Sequence, residues 1–423
     1  MQISVFTPVH KPDAVALSRA AKSLQAQTLQ PDEWIILLNG EAATSDWQPE
    51  QILPHFARVF VSKNEAGNIG LLKSECCEKA LGQILVELDY DDELTPTALQ
   101  AIHKEFLEKP IAVFVYSNFA EVNPDGSPFE YSPAYGWQSR EFGALTQMVA
   151  FPETAHYMRR IEWAPNHVRA FMRFAYMQVG GYDTTLAVGD DHDLICRFYL
   201  TFGEEGFSHI DQCLYIYHRH ADNTSLGKRN AEVQAQVELN YIKYSEAMYL
   251  RWAKDNNLLC LDLGGRFNCP EGYKSVDLLD ADFIFDLNKP WPFSAYSVGV
   301  IRAYHILEHL DDPIHFFNEA YRVLSHGGFL LLEVPSVSGG GAAAYGDPTH
   351  KHFFHPHTLD YFTNEQFSRF IRPQYTGRFQ EARKVEYLWQ NPERWIISAH
   401  FIALKGVYDD RSCGPRFDKL NLY

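Results

Sequence analysis

No apolar run in this sequence approaches the roughly 18 residues that a membrane-spanning helix needs. The stretch Met1 to Pro8 carries neither a basic flank nor a cleavable apolar segment, so neither a span nor a signal peptide is expected, and the expectation is a cytoplasmic protein. Cysteine is sparse: Cys76, Cys77, Cys196, Cys213, Cys260, Cys269 and Cys413 are odd in number and show no C-x-x-C spacing, which argues against a disulfide framework and a cysteine zinc site. Positive charge is also short. Against 54 Asp and Glu stand 37 Lys and Arg, a formal net charge of −17, which opposes nucleic acid as the main partner because phosphate-backbone binding draws on Lys and Arg. A nucleotide ligand stays compatible, since a metal ion neutralises a diphosphate locally. What is present is globular: 46% hydrophobic and 22% charged residues, in a chain of 423 residues that exceeds what one core usually holds, so two domains are expected.

The most informative run is Ile84-Leu85-Val86-Glu87-Leu88-Asp89-Tyr90-Asp91-Asp92-Glu93-Leu94-Thr95-Pro96. A buried strand ends in four acidic residues within five positions, and the Thr-Pro pair reads as a helix start. In open α/β sheets ligands bind at the carboxyl ends of strands. Asp89 and Asp91, two apart, suit one hard divalent cation, Mn²⁺ or Mg²⁺, held partly by a substrate diphosphate. An acidic loop capping a helix is the plainer account of an isolated D-x-D.

The neighbouring segments give that run a context. Ile3 to Val9 reads as a strand, Asp13 to Gln27 as a helix and Glu33 to Leu38 as a second strand, which predicts a right-handed parallel crossover with Thr7-Pro8-Val9 beside Asn39-Gly40-Glu41. After a strand at Ala57 to Val61, Asn64-Glu65-Ala66-Gly67-Asn68-Ile69-Gly70 opens a helix, with Lys73 one turn in, near the expected diphosphate. Ile111 to Tyr116 reads as a strand, Asn123-Pro124-Asp125-Gly126-Ser127 as a hairpin turn, and Tyr131 to Tyr157 as an irregular aromatic loop. Gly180-Gly181-Tyr182-Asp183 precedes Gly189-Asp190-Asp191-His192-Asp193, whose acidic pair sits at a helix N-terminus, where simple capping explains it about as well as chemistry does. Leu214 to His220 reads as a strand ending in basic residues.

This ordered set, over roughly residues 1 to 225, resembles the family 2 glycosyltransferases of GT-A fold. The resemblance implies that Thr7, Pro8 and Asn39 stand where the nucleotide base and ribose are held, with Asn39-Gly40 replacing the usual acidic pair. It implies that Asp89 and Asp91 bind metal and diphosphate and that His220 joins them. It makes Asp191, beside Asp190, the general base. The donor would be a nucleotide sugar, UDP- or GDP/dTDP-linked.

Lys228 to Asn257 reads as a linker helix with a stripe of Val233, Val237, Tyr241, Tyr244, Met248 and Trp252, expected to pack one domain on the other. A second α/β pattern then begins at Leu258-Leu259-Cys260-Leu261-Asp262-Leu263-Gly264-Gly265. It continues through Val276-Asp277, Phe283 to Asp286, Val298 to Ala303, His305-Ile306-Leu307-Glu308-His309, a helix at Asn318 to Leu324, a strand at Phe329 to Val334 and two closing strands, Phe379 to Trp389 and Trp395 to Leu404. The set resembles the class I S-adenosylmethionine-dependent methyltransferases, with a Rossmann-like fold. The resemblance implies cofactor contacts from Asp262, Gly264, Gly265, Asp277, Asp286 and His305. The third small residue of the glycine turn is replaced by Arg266, which would be costly if that position needs a positive φ. His350, His352, His355 and His357 admit a metal site, but a wet aromatic loop lining an acceptor pocket is the reading adopted. His305, His309 or His350 suits the base of an O-methylation.

The expected architecture is thus α/β in two domains, a GT-A domain over 1–227 and a methyltransferase domain over 258–423, joined by a linker helix over 228–257. The expected function is a bifunctional enzyme that transfers a sugar with inversion to a glycan or other hydroxyl-bearing acceptor and methylates a sugar. The alternatives are glycosylation of hydroxylated nucleobases in viral-type DNA, which the acidic balance disfavours, and a glycan-binding scaffold of degenerate enzyme folds.

Overall fold

The computed structural model describes residues 1–44, 47, 49–64, 67–220, 223, 227, 229–389 and 394–406. Glu65 and Ala66 of the glycine-rich turn, Lys228 at the expected linker start, Cys413 and the remainder of the chain beyond residue 406 lie outside the described residues. Two compact units divide the chain: the first holds Met1–Pro133 and Trp137–Met248, and the second holds Ala134–Gly136 and the chain from Tyr249 onward.

In the first unit, β1 (Ile3–Val9), β2 (Glu33–Leu38), β3 (Ala57–Val61) and β4 (Ile84–Glu87) are parallel, with β1 pairing β2 on one side and β4 on the other. Helix α1 (Ala14–Gln25) makes the first crossover. Its start is fixed by Asp13, whose carboxylate accepts the N–H groups of Val15 and Ala16, and its apolar stripe, Leu17, Ala20, Ala21 and Leu24, is buried. The expected adjacency of the first two strand ends holds: Pro8 pairs with Leu37, and Asn39 N–H donates to Val9 O at 2.8 Å.

The acidic run is not followed directly by a helix. Helix α2 (Ile69–Lys79) precedes β4; after the run Glu93–Leu94 forms a short strand, β5, and Ala98–Glu108 (α3) begins only after Thr97. Strand β6 (Phe114–Val122) starts later and runs longer than the apolar run suggests, because all nine of its residues are buried, polar Ser117, Asn118 and Glu121 included. A hairpin joins β6 to β7 (Pro128–Phe129) through the expected turn, with Gly126 at φ 83°. The segment expected to be irregular contains an antiparallel hairpin, β8 (Gln138–Phe142) with β9 (Leu145–Val149). Strand β10 (Ala170–Met172) lies antiparallel between β4 and β6, and β11 (Phe207–His218) runs parallel to β6. The order is β3-β2-β1-β4-β10-β6-β11-β5. It reverses between β1 and β4, so their carboxyl ends border the crevice where ligands bind in such sheets.

Helix α4 (Asp190–Phe202) begins after Gly189, and α5 (Asn230–Asp255) contains the division between the units. All six residues of the stripe predicted on α5 are buried. In the second unit β12 (Leu259–Leu263), β13 (Lys274–Asp277), β14 (Phe283–Ile284), β15 (Val298–Tyr304) and β16 (Leu324–Pro335) are parallel. Strands β17 (Phe379–Leu388) and β18 (Trp395–Ala403) close the sheet antiparallel, in the order β14-β13-β12-β15-β16-β18-β17. The helix expected at Asn318 spans Pro313–Val323 (α6), because Asp312 caps it and Pro313 fits its first position. The reversal falls between β12 and β15.

One glycine positions the first crevice. A Cβ on Gly70, in the first turn of α2, would lie 2.5 Å from Asp183 O and 3.1 Å from Asp190 Cβ. Only glycine lets α2 approach the segment that starts α4. We expect Gly70→Ala to lower stability by about 1–3 kcal/mol, read by urea denaturation; unchanged stability would mean that this approach is not a constraint.

Candidate active site

Glu87, the last residue of β4, is 2% exposed. Its carboxylate accepts from Arg169 Nε at 2.9 Å, Arg169 Nη2 at 2.7 Å and Tyr182 OH at 2.7 Å, and meets Lys73 Nζ at 2.7 Å. These cations hold Glu87 ionised, far below the usual carboxylate range despite its burial. Each cation then reaches on to one member of the acidic pair: Lys73 Nζ to Asp190 at 3.2 Å, and Arg169 Nη1 to Asp191 Oδ2 at 3.2 Å. A single buried carboxylate therefore ties β4, α2, the segment before β10 and the start of α4 together.

Environment separates Asp190 from Asp191. Asp190 is 2% exposed, and burial pushes its pKa up to about 6 against the pull of Lys73. Asp191 is more open, accepts its neighbour His192 N–H at 2.8 Å, and is held below the usual range by Arg169 and Lys73 in spite of desolvation. Asp191 is thus the ionised and reachable member of the pair. Beyond β4, burial and the charges of Glu87 and Asp91 push Asp89 up to about 7. Asp91 accepts a hydrogen bond from His220 Nε2 at 2.7 Å. Asp92 is turned inward, accepting from Tyr215 OH at 2.7 Å and His218 N–H at 2.8 Å. Of the four acidic residues in the run, only the D-x-D pair faces the crevice.

Lys73, Asp89, Asp91, His167, Arg169, Asp190 and Asp191 line one cavity of about 320 Å³, together with Pro8 and His10. The sequence expectations place differently. Pro8 lines the cavity, but the Thr7 hydroxyl is fully buried, donating to Leu88 O at 2.6 Å and accepting from Trp34 Nε1 at 2.8 Å, so its side chain is engaged in tying strands together. Asn39 is buried with Nδ2 donating to Asn64 O at 3.0 Å, while Oδ1 has no hydrogen-bond partner among the described residues. The Lys73 ammonium lies between Glu87 and Asp190, so it secures Asp190 before it can reach a diphosphate. Among the described residues Asp89, Asp91 and His220 do not bring three donor atoms within 4.8 Å of one another. The carboxylates Asp89 and Asp91 nonetheless have the donor chemistry for Mg²⁺ or Mn²⁺, which keep several outer ligands, and Asp89 carries the uncompensated negative charge that a cation would relieve.

In the second unit the glycine turn follows β12. Gly264 has φ 78°, and a Cβ on Gly265 would stand 2.2 Å from Asp262 Oδ2. Both positions need glycine. Asp262 is buried and accepts from Arg302 Nη1 at 2.8 Å. Asp277 stands at the carboxyl end of β13 with Oδ1 bonded to Leu278 N–H at 2.6 Å, and exposed Phe267, Leu278 and Leu279 follow these turns. Asp286 closes a local turn on Asn288 N–H at 2.9 Å. This strand-end acid, close-packed turn and apolar rim fit a nucleoside ligand such as S-adenosylmethionine. Arg266 is not among the non-glycine residues of positive φ, and its guanidinium pairs with Asp280. The backbone strain feared at that position does not arise. His305 ends β15 exposed, at φ 54°, with Nδ1 3.6 Å from Glu308 Oε1. His350 is buried at its side chain, Nδ1 meeting Ala344 O at 2.7 Å.

Sequence reasoning gave no role to Glu87, Arg169 or Tyr182. An ionisable residue inside an otherwise apolar strand was the available signal for Glu87, since such a group needs a buried partner; nothing local marked Arg169 as that partner.

The sequence profile described as glycosyl transferase family 2 matches residues 4–166, and the profile described as a methyltransferase domain matches residues 269–332. The first span contains Asp89 and Asp91 and ends before Asp191; the second contains Asp277 and His305. A chondroitin synthase of Pasteurella multocida (strain Pm70) is 27% identical over 255 residues, 58% of this chain and 24% of that protein. A hyaluronan synthase of Pasteurella multocida is 27% identical over 229 residues, 53% of this chain and 21% of that protein. The chain thus spans about a quarter of the length of these curated relatives. The crystal structure of S. aureus TarS 1-349 in complex with UDP-GlcNAc aligns with TM-score 0.43 and 15% identity, covering 61% of this chain and 72% of that one. Among the described residues no helix is long and apolar enough to cross a membrane. The chain thus carries a match to the family 2 glycosyltransferases over residues 4–166 followed by a match to a methyltransferase domain over residues 269–332, each on a largely parallel α/β sheet.

Proposed function

We propose that the first unit transfers a sugar, with inversion, from a nucleotide sugar to a hydroxyl of a glycan or similar acceptor, and that the second methylates a sugar hydroxyl. The observation that carries the first half is the convergence of Asp89, Asp91, Asp190 and Asp191 on one cavity, with Asp191 the ionised and accessible member of its pair. Asp191 accepts the proton of the acceptor hydroxyl as that oxygen attacks the anomeric carbon and the nucleoside diphosphate departs. Arg169 orients Asp191, and Lys73 holds Asp190 beside it. A divalent cation held by Asp89 and Asp91 would stabilise the charge that develops on the leaving diphosphate. Pro8 and His10, which line the cavity, border the place of the base and ribose, with Asn39 buried behind them. In the second unit Asp277 would take the cofactor's ribose hydroxyls and His305, the exposed imidazole at the end of β15, would accept the acceptor's proton.

Two outcomes test the sugar-transfer reading. Asp191→Asn keeps the shape and removes the base, so kcat should fall by about 10²–10⁴-fold with little change in binding of the nucleoside diphosphate; transfer at the wild-type rate would remove Asp191 from that role. The second concerns pH. Asp89 binds its proton more tightly folded than unfolded, so its ionisation lowers the stability of the ligand-free protein as pH rises from about 4 through about 7. Asp89→Asn should therefore raise ligand-free stability by about 1–2 kcal/mol at pH 8, less than the full shift because the side chain is partly open to solvent. It should give no gain near pH 4 and lose stabilisation by Mn²⁺ with nucleoside diphosphate. Equal melting points of the two proteins at pH 8 would contradict the strained state assigned to Asp89.

A further inference from the structure

Glu308, His309 and His350 bring one donor atom each within 4.8 Å of one another, in the second unit and away from any residue given a role in sugar transfer. Glu308 is 1% exposed, and among the described residues its Oε2 has no hydrogen-bond partner. A buried carboxyl oxygen left without a donor is costly, so such atoms call for an explanation. The histidines are arranged to supply one. His350 Nδ1 lies 2.7 Å from Ala344 O, a contact that requires the proton on Nδ1 and leaves the Nε2 lone pair facing Glu308 Oε1 at 4.0 Å. His309 is held in the same way: its Nδ1 is 3.1 Å from the Thr349 hydroxyl, and the two rings meet edge to face at 4.8 Å. One imidazole fixed through Nδ1, a second bonded at Nδ1 and a buried carboxylate, with a donor atom of each close together, match the way a protein presents ligands to a metal, with carbonyl and hydroxyl groups holding the rings.

We infer that Glu308, His309 and His350 form a site for a divalent transition cation. Two donors about 2.1 Å from one tetrahedrally coordinated ion stand about 3.4 Å apart, so the His350–Glu308 pair, at 4.0 Å, would close by about half an ångström on binding. Two imidazoles and a carboxylate favour Zn²⁺, Co²⁺ or Mn²⁺ over Mg²⁺ or Ca²⁺. Asp347 Oδ2, 3.8 Å from His350 Nε2, stands beside the set on its exposed side, and His305 Nδ1 is 3.6 Å from Glu308 Oε1. Three protein ligands leave open positions, as catalytic rather than structural metal sites do. With the methyl-transfer reading of this unit, on which this last step rests, the open positions face the exposed end of β15 and take two adjacent hydroxyls of a sugar acceptor, lowering the pKa of the one to be methylated. The other histidines of the cluster have separate work: His352 Nε2 lies 3.1 Å from Asp311 O, and His357 Nδ1 pairs with Asp360 at 2.9 Å. Four close histidines suggested a metal in the sequence, but only one of them takes part.

Binding of Co²⁺ to the full chain, without nucleotide, cofactor or acceptor, separates this site from the reading of either reaction. Calorimetry together with X-ray absorption should give one Co²⁺ per chain that carries two imidazole ligands, distinct from any oxygen-ligated ion at Asp89 and Asp91. Glu308→Gln and His309→Gln should each weaken binding of the imidazole-ligated ion by more than about tenfold, while Asp91→Asn, in the first unit, should leave that ion unchanged; circular dichroism of each variant checks the fold, and the more exposed His309 position guards against loss of folding at Glu308. Absence of an imidazole-ligated Co²⁺ in the wild-type chain, or its loss in Asp91→Asn with retention in both other variants, would overturn the assignment. Retained Co²⁺ binding with no detectable methyl transfer would leave the site standing and remove the role given to it.

Discussion

Glu87 sits at the end of a strand, buried, between an ammonium and a guanidinium, with a phenol as its third partner. An ion cluster of this kind is seldom more stable than a well-packed apolar core of equal volume, but removing one member leaves the others charged in a low-dielectric interior, at a cost of about 3–5 kcal/mol. The arrangement therefore constrains position more than it adds stability. With Glu87 fixed, Lys73 and Arg169 have one placement each, and the carboxylates of Asp190 and Asp191 inherit theirs. The close approach of Gly70 to Asp183 and Asp190 serves the same geometry from the backbone side.

The charge balance around that cluster accounts for the chemistry proposed. Five carboxylates, Glu87, Asp89, Asp91, Asp190 and Asp191, stand near two buried cations. The deficit falls on Asp89 and Asp190, whose pKa values rise to about 7 and about 6, whereas Glu87 and Asp191, closest to the cations, stay ionised. A site that is short of positive charge where a diphosphate must also lie is complementary to a divalent cation and hostile to a diphosphate without one. Two adjacent aspartates of the same helix start thus acquire different states from their neighbours alone.

Much of this was legible in the sequence, and the limits follow from distance along the chain. The parallel crossovers, the D-x-D at the end of β4, the second α/β pattern and the closing antiparallel pair all depend on local periodicity and turn chemistry, which a short window records. The hairpin at Gln138–Val149 and the length of β6 were missed because their polar residues are satisfied by partners far away, such as Asn118 with Asp211 at 2.8 Å. The same holds at the sites: Asp191 was named from its motif, but its ion-pair partner Arg169 was not, and nothing local to Thr7 shows that Trp34 and Leu88 engage its hydroxyl. Arg266 shows the converse, a departure from pattern that carries no backbone strain once the φ value is known.

The central claim is that one buried carboxylate sets the geometry of the sugar-transfer site, and equilibrium unfolding of Glu87→Gln tests it most directly. The change keeps volume and removes the charge that Lys73 and Arg169 share. The account predicts that the transition of the first unit shifts by about 3–5 kcal/mol while that of the second stays in place. A first-unit transition indistinguishable from that of the wild-type chain would contradict it.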